Sequence, residues 1–88
     1  MARKKTLFVI NPISGTHSKA NIPTWIETTL DKDLFEPEIV FTQYGGHASE
    51  LARQAVEKGY DMVVSVGGDG TCNEIASSLV QTDVALGI

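Results

Sequence analysis

Asp61-Met62-Val63-Val64-Ser65-Val66, then Gly67-Gly68-Asp69-Gly70, then Thr71-Cys72-Asn73-Glu74-Ile75-Ala76 is the stretch that decides the fold. The first six residues are dominated by Met and Val, which predicts a short strand over Asp61 to Val66. Two glycines, a carboxylate and a third glycine then interrupt it. Thr71 and Glu74 have the three-residue offset of a capping box, and Ile75, Ala76, Leu79 and Val80 follow at helical spacing. A strand feeding a helix through a glycine turn is half of a βαβ unit.

The same grammar extends in both directions. Lys5 to Asn11 (KTLFVIN) is a compact apolar run, suited to a strand buried on both faces, and Asn11-Pro12-Ile13-Ser14-Gly15 stops it. Between Lys19 and Leu30, the residues Ile22, Trp25, Ile26 and Leu30 fall on one helical face. Pro23 belongs in a first turn, which puts the regular helix near residue 22. Phe35 to Thr42 (FEPEIVFT) reads as a second strand, with Pro37 limiting how early its pairing starts. After Tyr44-Gly45-Gly46, a helix carries Ala48, Leu51, Ala52, Ala55 and Val56 on one face and ends at Gly59. Val84 to Ile88 begins a fourth strand. The order βαβαβαβ predicts an α/β fold: a parallel sheet covered by helices on its faces, three layers in all. The sequence reaches Leu86-Gly87-Ile88 in or just after a strand, so residues 1–88 read as part of a larger domain. An uncovered edge on the fourth strand would invite association between copies.

Composition narrows the functional classes. Eighty-eight residues make one small domain that buries roughly 60 to 65% of its unfolded surface. Seven Lys and Arg against eleven Asp and Glu give a net charge of -4, and Arg3-Lys4-Lys5 is the one short basic run. That balance disfavours a nucleic-acid partner held by many phosphate contacts. Cys72 is the only cysteine, which excludes an internal disulfide and a cysteine-based zinc cluster and fits a reducing compartment. The apolar run Leu7 to Ile10 is too short to cross a bilayer, and Met1-Ala2-Arg3-Lys4-Lys5 has no long apolar signal segment. A cytoplasmic location is expected, compatible with peripheral visits to a membrane.

In an open parallel sheet, ligands bind beyond the carboxyl ends of the strands. Three turns meet there: Asn11 to Gly15, Thr42 to His47, and Gly67 to Thr71. Glycines let a ligand approach the backbone, and the exposed N–H groups of a helix start bind phosphate oxygens, which favours a phosphorylated ligand, above all a nucleotide. Asp69 would repel phosphate directly, so its natural role there is beside Mg2+; a turn in which Asp69 caps backbone groups accounts for the same residues. Neither glycine turn carries the Gly-Lys-Ser/Thr ending of a Walker A loop, and Asn73 stands where a dinucleotide fingerprint needs its last glycine. Asn11, Ser14 and Thr42 are candidate hydrogen-bonding partners of a nucleotide, and each also fits an ordinary strand stop. Glu74 suits the capping box better than a metal. His17 and His47 lack metal-helix spacing and suit turn roles, Cys72 suits a packed thiol, and Trp25 suits the apolar helix face.

Taken together, three segments resemble the N-terminal half of the diacylglycerol kinase catalytic domain family, which includes sphingosine kinases and bacterial lipid kinases. Asn11-Pro12-Ile13-Ser14-Gly15 resembles its N-P-x-S-G opening, Thr42 with Gly46-His47-Ala48 its threonine and G-H-A segment, and Val66 to Glu74 its V-G-G-D-G-T-x-N-E signature. The resemblance implies Mg-ATP binding and transfer of the γ-phosphate to a lipid hydroxyl. Asn11, Ser14, Thr42, Gly67, Gly68, Asp69, Gly70 and Thr71 would contact the nucleotide, and Asp69 would be both the metal-linked and the catalytic residue. It further implies a later G-T-x-N-D segment and a C-terminal β-rich domain, without which residues 1–88 would lack substantial activity. NAD kinases share a related fold and a G-G-D-G turn and are the enzymatic alternative; a noncatalytic nucleotide-binding module is the other.

Overall fold

Thr6 to Ile10 lose nearly all contact with solvent on both sides of the chain, Val9 and Ile10 completely, because their strand runs through the middle of the sheet. This strand, β1 (Lys4–Ile10), leads to α1 (Ile22–Thr29), β2 (Phe35–Phe41), α2 (His47–Glu57), β3 (Met62–Val66), α3 (Asp69–Leu79) and β4 (Ala85–Gly87). The computed structural model describes residues 3–12, 22–67, 69–80 and 82–87, and the side chains of Ile22, Trp25, Thr29 and Asp69 lie outside that description. The anticipated apolar roles of Ile22 and Trp25 therefore fall outside it too.

The strands are all parallel and lie in the order β2-β1-β3-β4. Leu7 is in register with Glu38 on one side and Val63 on the other. Alternation along the strand sends Leu7 and Val9 to one face and Thr6, Phe8 and Ile10 to the other. On the first face, Leu7, Val9 and Val63 pack with Ala48, Ala52 and Ala55 of α2 and Ile75 and Leu79 of α3. The three alanines let α2 sit close to both the sheet and α3. Burying side chains such as Val9, Val63 and Ile75 stabilises the fold by roughly 1.5 to 3 kcal/mol each relative to leaving them exposed. Right-handed crossovers place α1 opposite α2 and α3, because β1 connects outward to β2 in one direction while the later units step the other way. Ile26 of α1 is buried outside the α2/α3 cluster. The result is the expected three-layer α/β/α arrangement.

Several strand ends shift by one residue from the sequence reading, and two readings differ in substance. Pro37 does not delay pairing: β2 is bonded from Phe35, with Pro37 in register with Thr6. As an edge strand with one neighbour, β2 can turn the position that lacks an N–H away from the ladder. Second, α3 starts at Asp69, so Thr71 lies inside the first turn and is not its cap. The end of α2 is as expected. Gly59 has φ +78°, Tyr60 N–H donates to Ala55 C=O at 2.9 Å and Gly59 N–H to Val56 C=O at 3.2 Å, the paired bonds of a Schellman motif. No helix among the described residues is long and apolar enough to cross a membrane.

The start of α2 depends on one backbone conformation. Gly46 caps it at φ +85°, where a side chain is strained, although a Cβ at Gly46 or at Gly45 would meet no atom within 4 Å. Gly46→Ala is expected to lower stability in urea unfolding by about 1 to 2 kcal/mol through backbone strain alone. Gly45→Ala, free of that strain, is expected to be neutral or to stabilise by about 0.4 to 1 kcal/mol. Equal effects of the two substitutions would contradict the conformational explanation.

Candidate functional site

The strand order creates the crevice. The chain leaves β1 toward α1 on one face and leaves β3 toward α3 on the other, so the carboxyl ends of these adjacent strands part around a gap, the place where open α/β sheets bind ligands. Asn11 and Thr42 immediately follow β1 and β2. Asn11 N–H donates to Val66 C=O at 2.9 Å, and Thr42 N–H donates to Ile10 C=O at 2.8 Å, so each carries the sheet ladder one step past its strand. Gly67 follows β3 with φ +153°, a backbone angle open to glycine.

From the gap rises α3. Its first turn carries N–H groups without helical partners and the positive end of the helix dipole, and this turn contains Gly70 and Thr71. Nothing lies within 4 Å of where a Gly70 Cβ would stand, so no side chain of another element crowds that side of Gly70. Thr71 is buried, and its Oγ1 accepts a hydrogen bond from Asn11 Nδ2 at 3.2 Å. A cavity of about 410 Å³ is lined by Asn11, Pro12, Thr42, Gln43, Tyr44, Gly45, Gly70, Thr71 and Glu74, a volume within the usual range for small-molecule sites. Convergent donors at the start of a helix, beside hydroxyl and amide side chains, suit an anionic ligand.

Of the residues anticipated from sequence, Asn11, Thr42, Gly70 and Thr71 line this one cavity. Gly67 ends β3 next to it. The backbone of Asp69 opens α3 immediately before Gly70, while its side chain, like Ser14, His17 and Gly68, lies outside the described residues. Among the described residues, no three His, Cys, Asp or Glu side chains come together as a metal cluster.

Glu74 has a different role from the local cap expected of it. Its carboxylate crosses from α3 to the next turn, where Oε1 accepts from Gly46 N–H at 3.3 Å, and its carbonyl accepts from Ser49 Oγ at 3.2 Å. The reason is the earlier start of α3: with Thr71 no longer capping, the carboxylate meets an unpaired N–H at the start of α2. Sequence spacing carries no signal for this contact, which spans 28 residues.

The turn between β2 and α2 is also ordered from within. His47 Nδ1 accepts from Gln43 N–H at 3.0 Å, the turn role foreseen for it. The Tyr44 ring stacks on His47 with centroids 4.4 Å apart and planes at 13°, and its hydroxyl donates to a Glu50 carboxylate oxygen. That hydrogen bond, with desolvation and the Glu50 charge adding to it, raises the phenol above its ordinary 10.0. Cys72 is a half-buried free thiol on α3.

Known proteins share this architecture. The sequence profile of the diacylglycerol kinase catalytic domain matches residues 5–88. A diacylglycerol kinase of Staphylococcus saprophyticus is 32% identical over 80 residues, covering 90% of this chain and 26% of that protein. Sphingoid long chain base kinase 5 of Saccharomyces cerevisiae is 36% identical over 81 residues, covering 90% of this chain and 12% of that protein. The crystal structure of a diacylglycerol kinase from Bacillus anthracis superposes with a TM-score of 0.70 at 26% identity, over 94% of this chain and 31% of that one. The chain thus spans about a quarter of the length of its bacterial relative. With its profile matched from Lys5 to Ile88, the chain belongs to the diacylglycerol kinase catalytic domain family.

Proposed function

We propose that this chain is the N-terminal, nucleotide-binding part of a lipid kinase that transfers the γ-phosphate of Mg-ATP to a lipid hydroxyl, diacylglycerol or a related lipid at a membrane surface in the cytoplasm. The observation that carries this is the cavity at the β1/β3 gap, where Asn11, Thr42, Gly70 and Thr71 surround the start of α3. The phosphates of ATP are assigned to the amides of that first turn, with Gly67 beside it at the end of β3 and Ser14 and Gly68 proposed as further nucleotide contacts. Asn11, held against Thr71, ties the end of β1 to the helix.

The residues present suit a magnesium nucleotide. Mg2+ keeps most of its shell as water and phosphate oxygen and needs only one or two carboxylates from a protein, so the absence of a three-residue cluster among the described residues is no obstacle. Asp69, at the head of α3, is the residue assigned to hold it. A magnesium ion held there would supply positive charge against the phosphates. The chain's own part is alignment: phosphoryl transfer asks a protein mainly to position the reactants and stabilise charge on the equatorial oxygens. The acceptor lipid and the group that takes its proton are assigned to a β-rich domain following these residues.

The test uses the complete gene product with radiolabelled ATP, Mg2+, a lipid panel and NAD as a further acceptor. A labelled lipid is expected, with Asp69→Ala lowering its formation by about 100-fold or more, the scale of losing one charge-stabilising group. Labelled NADP would instead make the protein a NAD kinase, and bound nucleotide without transfer would make it a noncatalytic module.

Glu74 gives a second test, because it fastens one cavity wall to α3 without needing its charge to do so. Glu74→Ala is expected to raise the KM for ATP roughly 3- to 10-fold, with a smaller effect on kcat, the scale of one ordinary hydrogen bond lost. Glu74→Gln keeps an oxygen that accepts from Gly46 N–H and is expected to restore the wild-type KM. A glutamine variant as impaired as the alanine one would show that the carboxylate charge, and not the brace, is what matters.

A further inference from the structure

We infer that Tyr44 is the stacking platform for the base of the bound nucleotide, an assignment that rests on the nucleotide-binding reading of the cavity. Tyr44 is 55% exposed in a turn where an aromatic side chain would ordinarily swing between rotamers. Here it is held at two ends. One ring face lies on His47, 4.4 Å away and nearly parallel, and the hydroxyl donates to Glu50. His47 is itself fixed, because its Nδ1 accepts from Gln43 N–H.

Stacked and hydrogen-bonded in this way, the ring is ordered before any ligand arrives, and more than half of the residue stays exposed. A pre-ordered ring loses little freedom when a flat partner stacks on it. Tyr44 lines the cavity and His47 does not, so the ring, supported by the imidazole, is the aromatic group that a ligand in the cavity can meet. The neighbouring Gly45 adds no side chain, and a Cβ there would meet only open space.

The two sides of the cavity consequently offer different chemistry. At the start of α3, Gly70 and Thr71 present backbone donors suited to phosphate; across the turn after β2, Tyr44 presents a π-face. A molecule with an anionic chain at one end and a planar ring at the other matches both, and a nucleoside triphosphate is such a molecule. Stacking of this kind tolerates any base, since each has a π-face, so ATP is expected to be held more by ring area than by hydrogen bonds to the base edge.

The experiment measures equilibrium binding of ATP and of inorganic tripolyphosphate to the complete gene product, in wild type, Tyr44→Ala and Tyr44→Phe. Tripolyphosphate has the phosphates without the base. Tyr44→Ala is expected to bind ATP about 5- to 100-fold more weakly and tripolyphosphate as wild type does, while Tyr44→Phe, which keeps the ring, stays close to wild type for both. Unchanged ATP binding in Tyr44→Ala would overturn the inference. So would an equal loss for both ligands, which would make Tyr44 a support for the phosphate end. A wild-type protein that binds neither ligand would overturn the nucleotide reading itself, a result distinct from either of these.

Discussion

The position of β1 between β2 and β3 is the constraint from which the rest follows. Five consecutive residues, Thr6 to Ile10, are buried on both faces, and only a central strand can satisfy their backbone groups while covering both sets of side chains. Once β1 is central, the first crossover must step outward to β2 and the later ones must step the opposite way. Right-handed connections then put α1 on one face and α2 and α3 on the other, and the chain ends leaving β1 and β3 diverge. The cavity is the geometric residue of that divergence.

What converts a gap into a site is a set of ties between elements distant in sequence. Asn11 reaches Thr71 across 60 residues, and Glu74 reaches Gly46 across 28. Both ties end on the first two turns of α3, so this helix holds the end of β1 with one residue and the turn after β2 with another. Beneath it, Ile75 and Leu79 anchor the same helix in the core with Val63 and the alanines of α2. Packing energy and site geometry thus meet on one helix: disturbing its apolar face would move the amides proposed to receive phosphate.

Much of this was legible in the sequence, for physical reasons that differ by element. Strand and helix identities followed from periodicity, and the glycine turns from the angles only glycine adopts easily, as Gly46 and Gly59 illustrate. The cavity residues Asn11, Thr42, Gly70 and Thr71 were legible because each directly follows a strand or opens a helix, positions that a parallel sheet gathers at one edge. Local capping rules see only three residues ahead, so they miss the partner of Glu74, which comes from another element. The effect of Pro37 is hidden for a related reason: whether a missing N–H matters depends on which strand is at the edge, and that is settled only by the sheet order. Tyr44 gave no signal, since its order comes from His47 and Glu50, contacts made by the way the turn enters α2.

The central claim is that the carboxyl edge of the sheet receives the phosphates of a nucleotide. The most direct measurement follows backbone amide signals of the complete gene product by NMR as Mg-ATP is added. The largest shifts are expected at Asn11, Gly67, Gly70 and Thr71, with further shifts from Thr42 to Gly46. The amides of Gly59 to Asp61 and of Val84, at the opposite edge of the sheet, are expected to stay in place. Saturating Mg-ATP that leaves Gly70 and Thr71 unmoved, or that acts at the opposite edge, would contradict the account.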